Sequence, residues 1–207
     1  MPAASALYAR SLRTLTLLAA PALAGLAAIS ALAVPLLFGP RWVQAKALLP
    51  PLCLALLAQA YFPINAAFLN GVGRVRAQTW STIATNAAIL AAILISLRSG
   101  VVAVSWSVAI ASAAAGILQF MMVARVGSLR LSAFAHGLKG GLISAGVMYV
   151  ASSSLEARLE GDLAPVLRLA ATVAIGIMTY GASVLALEGS SVLSPVKQRL
   201  RALGVAA

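Results

Sequence analysis

The run Thr14–Phe38 constrains this chain more than any other feature. It holds 25 residues without a single charge and is closed by Gly39-Pro40-Arg41-Trp42. About 20 consecutive apolar residues carry an α-helix across the hydrocarbon core of a bilayer, and this run exceeds that length. The Gly-Pro turn, with a cation and an aromatic behind it, reads as an interfacial loop, because Trp rings settle at headgroup level and Arg reaches the phosphates.

Composition excludes a soluble fold. Of 207 residues, 62% are hydrophobic and only 9% charged, and the mean hydropathy is +1.00. A soluble domain carries about 25% charged residues, so this chain lacks the polar groups to cover itself in water. Lipid is its main solvent, where each backbone polar group must be satisfied within the structure. Strict alternation of apolar and polar residues is absent, which excludes a β-barrel. The expected fold class is all-α, a polytopic membrane bundle of about six transmembrane helices.

The six apolar segments are Thr14–Phe38, Ala47–Leu69, Gln78–Leu97, Val101–Ala124, Lys139–Leu155 and Pro165–Leu187. The fifth is the shortest. Residues 1–13 read as a cytoplasmic or interfacial N-terminus, 14–187 as the membrane domain and 188–207 as a cytoplasmic amphipathic tail. In the tail, Lys197, Arg199 and Arg201 alternate with Val196, Leu200 and Leu203. Such a piece lies at the headgroup surface with its stems buried and its charges wet.

Net charge is +11, from 15 Lys and Arg against 4 Asp and Glu. The cations fall between apolar runs and form no single polar face. Their anionic partner is therefore lipid headgroups or an anionic lipid-linked substrate, and no nucleic acid is expected. Arg10, Arg13, Arg74, Arg76, Arg125, Arg130, Lys139, Lys197, Arg199 and Arg201 fall on one side of the alternating spans. Arg41, Lys46, Arg98, Arg158 and Arg168 fall on the other, with Glu156, Glu160 and Asp162 in one connection there. Loops rich in Lys and Arg stay in the cytoplasm, so both termini are expected there. A cleaved signal peptide is the competing reading of Arg10, Arg13 and Ala31-Leu32-Ala33. The apolar stretch is longer than the 7–15 residues usual for such a signal, which disfavours it.

Proline punctuates the early spans. Pro50-Pro51 fits the first turn of the second helix, where a missing N–H costs nothing. Pro21 and Pro63 fall inside spans and are expected to kink or unwind them, either beside a cavity or simply because membrane helices tolerate Pro.

Signals of enzymatic chemistry are nearly absent, so the chain is not read as an enzyme and no cofactor is implied. Cys53, the single cysteine, sits in an apolar run and reads as a small buried hydrophobe with no disulfide or metal-ligand pattern. His136, the single histidine, reads as a surface residue. Gly71-Val72-Gly73 lacks the preceding strand and third glycine of a dinucleotide motif and reads as a turn between helices.

Polar side chains in the spans, namely Gln59, Asn65, Asn70, Gln78, Asn86 and Gln119, must find partners or face a wet cavity. Gln59 and Asn70 lie close to three full turns apart and share a stripe with Phe62 or Pro63 and Ala66, whereas Asn65 and Asn70 do not share one narrow face. Gln59, Asn65, Asn70 and Asn86 are the cavity-lining candidates. Their alternative role is interhelical hydrogen bonding, worth about 0.6 kcal/mol per bond on average. Small residues recur as Gly137-x3-Gly141-x3-Ala145 and Ser112-x3-Gly116, spacings that permit close helix approach.

The order of these pieces resembles the C-terminal half of bacterial oligosaccharide flippases, also described as polysaccharide or lipopolysaccharide biosynthesis proteins, of the multidrug/oligosaccharidyl-lipid/polysaccharide exporter superfamily. The resemblance rests on Leu17-Leu18-Ala19-Ala20-Pro21-Ala22-Leu23-Ala24-Gly25-Leu26, on Leu36-Leu37-Phe38-Gly39-Pro40-Arg41-Trp42-Val43-Gln44-Ala45 and Leu48-Leu49-Pro50, and on Asn70-Gly71-Val72-Gly73-Arg74-Val75-Arg76. It covers residues 8–80; beyond them only hydropathy and spacing agree. It implies a multi-pass protein of the bacterial inner membrane that flips an undecaprenyl-diphosphate-linked sugar repeat to the outer leaflet, for lipopolysaccharide or exopolysaccharide export, by rocking two helix bundles. The family has about twelve to fourteen spans in two halves, with the site between the halves. Six spans correspond to one half, so a second half-transporter or a homodimer is the implied partner, beside membrane lipids and the lipid-linked oligosaccharide. Arg10, Arg13, Arg74 and Arg76 are candidates to attract the lipid diphosphate; orientation and headgroup contact are their plainer roles. A non-transporting accessory subunit or an inactive fragment is the competing function.

Overall fold

The computed structural model describes the backbone of residues 2–127, 131–158 and 164–202, and side chains within 4–127, 138–158 and 164–187. Among the described residues the chain is helical throughout, with no strand. It runs as α1 (Pro2–Ala28), α2 (Ser30–Phe38), α3 (Leu49–Ala60), α4 (Phe62–Gly71), α5 (Val75–Ser96), α6 (Val101–Gly127), α7 (Leu131–Arg158) and α8 (Pro165–Ala202). His136, Glu160, Asp162 and the tail cations Lys197, Arg199 and Arg201 lie outside the described side chains.

Among the described residues five stretches are long and apolar enough to cross a membrane: Ala4–Ala28, Leu49–Gly71, Val75–Ser99, Val101–Gly127 and Pro165–Leu187. Helix α7 is not among them; it packs against both α1 and α8. Its inward face carries Gly141, Ser144, Ala145, Met148 and Ser152. That small, partly polar face explains its modest apolarity: a helix shielded on two sides needs less lipid-compatible surface.

The first crossing lies further towards the N-terminus than the apolar run indicates. Helix α1 begins at Pro2, and Thr14–Phe38 is divided at Ile29, where φ −88° and ψ 2° interrupt the helix before the short α2. The physical reason is on the buried face. Tyr8 and Leu12 are 4% and 2% exposed and join a core cluster with Tyr61, Phe68, Leu69 and Val123. Exposed Arg10 and half-buried Arg13 do not oppose this, since long cationic side chains reach the headgroups from within a span. At the far end Gly39, with φ 85°, turns the chain into a 3-10 stretch, Pro40–Ala47. There Phe38 and Trp42 stand exposed with ring centroids 6.4 Å apart, an aromatic pair suited to an interface.

The prolines divide into two kinds. Pro50 and Pro51 occupy the first turn of α3, as expected. Pro21 sits inside α1 without ending it. Pro63 falls in the first turn of α4, which starts two residues after α3 stops at Ala60, with Tyr61 between them at φ −81° and ψ −18°, so the second crossing is a helix interrupted at a single residue.

Close packing runs through the small residues. A methyl group added at Gly141 would stand 2.9 Å from Thr16 Cγ2 and 3.5 Å from the Leu17 backbone nitrogen, so α1 and α7 approach to backbone distance there. A carbon added at Gly25 would stand 3.4 Å from Met148 Cε, and one added at Gly176 on α8 would stand 3.0 Å from Ser152 Oγ. These levels make α1 and α7 parallel and α8 antiparallel to both. A carbon added at Gly116 would stand 3.8 Å from the Ala58 carbonyl oxygen and the Phe62 ring, which seats α6 on the α3–α4 junction.

Candidate functional site

The broken crossing sits beside the most polar part of the interior. Asn65, in the first half of α4, is fully buried. Its Oδ1 accepts a 2.5 Å hydrogen bond from the Tyr8 hydroxyl on α1, and its Nδ2 donates to Gln119 Oε1 on α6 at 3.3 Å. Gln119 is 3% exposed and donates in turn to Thr85 Oγ1 on α5 at 3.4 Å. One chain of hydrogen bonds therefore ties α1, α4, α6 and α5 together. A second contact lies a turn away, where Thr16 Oγ1 and the Tyr61 hydroxyl stand 3.0 Å apart while Thr16 also donates to the Leu12 carbonyl at 2.8 Å. Gln59 adds a third link, its Nε2 donating to Ser112 Oγ on α6 at 2.9 Å.

The four amides singled out from the sequence thus separate. Gln59 and Asn65 hold helices together. Asn70 and Asn86 are exposed, Asn70 in the last turn of α4 and Asn86 one residue past the buried Thr85. The stripe through Gln59 and Asn70 does not line one cavity, because Gln59 is spent on Ser112 while Asn70 stands exposed. Tyr8, Thr16, Tyr61 and Thr85 escaped the sequence reading, and Ser112 was noted only for its spacing from Gly116. Their signal was weak, since Thr and Ser satisfy themselves within helices and Tyr8 stood in what read as a polar terminus.

The four candidate arginines lie on segments that neighbour one meeting point of α1 and α4. Residues 4–8 of α1 pack beside 68–72 of α4, with the Tyr8 and Phe68 rings 5.0 Å apart. Arg10 and Arg13 follow within the next turns of α1, while Arg74 and Arg76 open α5. The α4–α5 turn is shaped to hold them there. Gly73 has φ 76°, its N–H donates to the Asn70 carbonyl at 3.0 Å and that of Arg74 to the Leu69 carbonyl at 2.8 Å. Those two bonds are the paired signature of a glycine-terminated helix. Arg10, Arg74 and Arg76 are exposed. Arg125 ends α6 at the same end, and Arg41, Lys46, Arg98, Arg158 and Arg168 lie at the other.

An open-sided groove of about 620 Å³ runs between α1, α7 and α8. A shallower depression on α1 holds Arg10 and shares Leu18 with it, so the two follow one face of α1.

No family model, no curated protein and no solved structure matches this chain. What the fold defines directly is a multi-pass membrane protein built as an all-α bundle.

Proposed function

We propose that this chain is one half of a transporter of the oligosaccharide-flippase kind, moving a lipid-linked oligosaccharide across a bacterial cytoplasmic membrane for cell-surface polysaccharide synthesis. The observation that carries this reading is the interrupted second crossing: α3 stops at Ala60, α4 restarts at Phe62 with Pro63 in its first turn, and Gln59 and Asn65 on either side bond to neighbouring helices. Discontinuous helices near the bilayer midplane are a working part of transporters, where one bundle rocks against another. The Gly-Pro-Arg-Trp turn and the Asn70–Arg76 connection support the same reading by resemblance.

In this reading the end carrying Arg10, Arg13, Arg74 and Arg76 faces the cytoplasm, as the excess of cations there favours. Each exposed arginine near an anionic headgroup contributes on the order of 1 kcal/mol of attraction. Together they gather the lipid diphosphate at the entry side. The second half of the cavity comes from another half-transporter or a second copy of the chain.

Replacing Arg74 and Arg76 together with Gln tests this in a strain whose polysaccharide output depends on the protein. Both side chains are exposed, so folding is spared and output is expected to fall about tenfold, the equivalent of roughly 1.4 kcal/mol. Unchanged output at equal protein level removes these arginines from the transport path.

One observation favours an accessory, non-transporting subunit instead. The buried amides Gln59 and Asn65 are used in helix–helix bonds and are not presented to a cavity. Normal polysaccharide export by cells in which the broken crossing is locked by a cross-link between α4 and α6 would favour that reading.

A further inference from the structure

We propose that the groove between α1, α7 and α8 is a binding site for one anionic phospholipid, its acyl chain lying in the groove and its phosphate held by Arg168. This goes beyond the transport reading and stands or falls without it.

The groove measures about 620 Å³, within the range of roughly 300–1,000 Å³ typical of ligand sites. Its floor is lowered by small residues, among them Ala22, Gly25, Gly176 and Gly181, and its rim is raised by Leu18 and Ile177, each 69% exposed. That is a channel of side-chain width, not the flat face of a helix–helix contact. The Tyr180 and Thr172 hydroxyls along it are turned away from an occupant. The Tyr180 hydroxyl donates to the Leu17 carbonyl at 2.7 Å, and Thr172 donates to the Arg168 carbonyl at 2.9 Å. An aliphatic chain fits walls whose hydrogen bonds are already made, because it asks for none.

The charge lies where a headgroup would be. Arg168 is one turn from Thr172, at the end of the bundle where α7 stops and α8 starts. Its guanidinium donates through Nη2 to the Glu156 main-chain carbonyl at 3.2 Å, and its Nε is buried with no hydrogen-bond partner among the described residues. A half-buried guanidinium resting on a neutral carbonyl keeps most of its attraction for an anion, and a phosphate oxygen is the acceptor its planar fork matches. Apolar channel and underused cation together specify a lipid with a negative headgroup.

Native mass spectrometry of the detergent-solubilised full chain, titrated with phosphatidylglycerol and separately with phosphatidylcholine, tests the proposal. The protein is expected to retain one phosphatidylglycerol per chain. Gly181→Leu should cut retention about tenfold by filling the groove. A side chain there meets nothing within 4 Å at Cβ, so folding survives, and an unchanged melting temperature verifies it. Arg168→Gln should weaken phosphatidylglycerol about fivefold, the equivalent of roughly 1 kcal/mol, and remove the preference over phosphatidylcholine. Equal retention by wild type and a folded Gly181→Leu overturns the proposal. So does displacement of the lipid by inorganic phosphate alone, which would reduce the site to an exposed arginine. A spectrum in which Gly181→Leu dissociates a dimer and leaves lipid binding unchanged assigns the groove to a second copy and overturns it as well.

Discussion

Replacing Asn65 with Leu is expected to destabilise the bundle by about 2–3 kcal/mol, although the two side chains are similar in size. Asn65 is fully buried, accepts from Tyr8 and donates to Gln119. Leucine removes the acceptor from one neighbour and the donor from the other. Neither loss is repaired by lipid, which offers no hydrogen bonds. Single interhelical bonds in membranes contribute about 0.6 kcal/mol on average; the larger figure is expected because two bonds go at once and a buried amide oxygen is left without its donor. A double-mutant cycle separates the bond from the packing. Tyr8→Phe alone should cost about 1 kcal/mol, and in the Asn65→Leu background much less, because its acceptor is already gone. Additive losses in reversible unfolding in micelles would show that Tyr8 and Asn65 act independently.

The second large effect is expected at Gly141. A Cβ there would lie 2.9 Å from Thr16 Cγ2 and 3.5 Å from main-chain atoms of Thr16 and Leu17. A leucine cannot be accommodated by moving one flexible side chain, since the backbone of α1 stands behind it. Helices α1 and α7 must separate, which disturbs Thr16 and, through it, Tyr61. Gly141→Leu should cost about 3 kcal/mol or abolish the fold, at the upper end of overpacking penalties. Gly146→Leu, on the same helix, is the matched comparison. Gly146 is exposed and has nothing within 4 Å of the added carbon, so this variant should be neutral or slightly stabilising. Equal melting temperatures for the two variants would contradict the close α1–α7 approach.

Crossing elements were legible in the sequence because lipid demands long apolar runs, and each run contains or overlaps a helix. The spacing of Gly141 and Ala145, and of Ser112 and Gly116, also foretold where helices approach. The first crossing was displaced because charge was read as a boundary. Arg10 and Arg13 look like a terminus in a list of residues, yet on a helix they leave Tyr8, Leu12 and Thr16 free to form a buried face. The site was half legible. Asn65 and Gln119 stand out as amides in apolar surroundings, but their partners Tyr8 and Thr85 come from helices far apart in the chain. No periodicity within one helix reveals such a pairing. Asn86 was singled out by type alone and Asn70 by type and its spacing from Gln59, yet both side chains are exposed.

The transport claim rests on the broken crossing and on the cationic end, and one measurement addresses it most directly. The purified full chain, reconstituted into proteoliposomes whose outer and inner leaflets carry a fluorescent lipid-linked oligosaccharide, is assayed by the fraction of label that becomes accessible to an external quencher, with its oligomeric mass determined in parallel. The account predicts a paired assembly, two copies or two half-transporters, that equilibrates the label between leaflets, and slower exchange with Arg74 and Arg76 both replaced. A folded protein that leaves the label confined to its original leaflet, whether alone or paired, would contradict it.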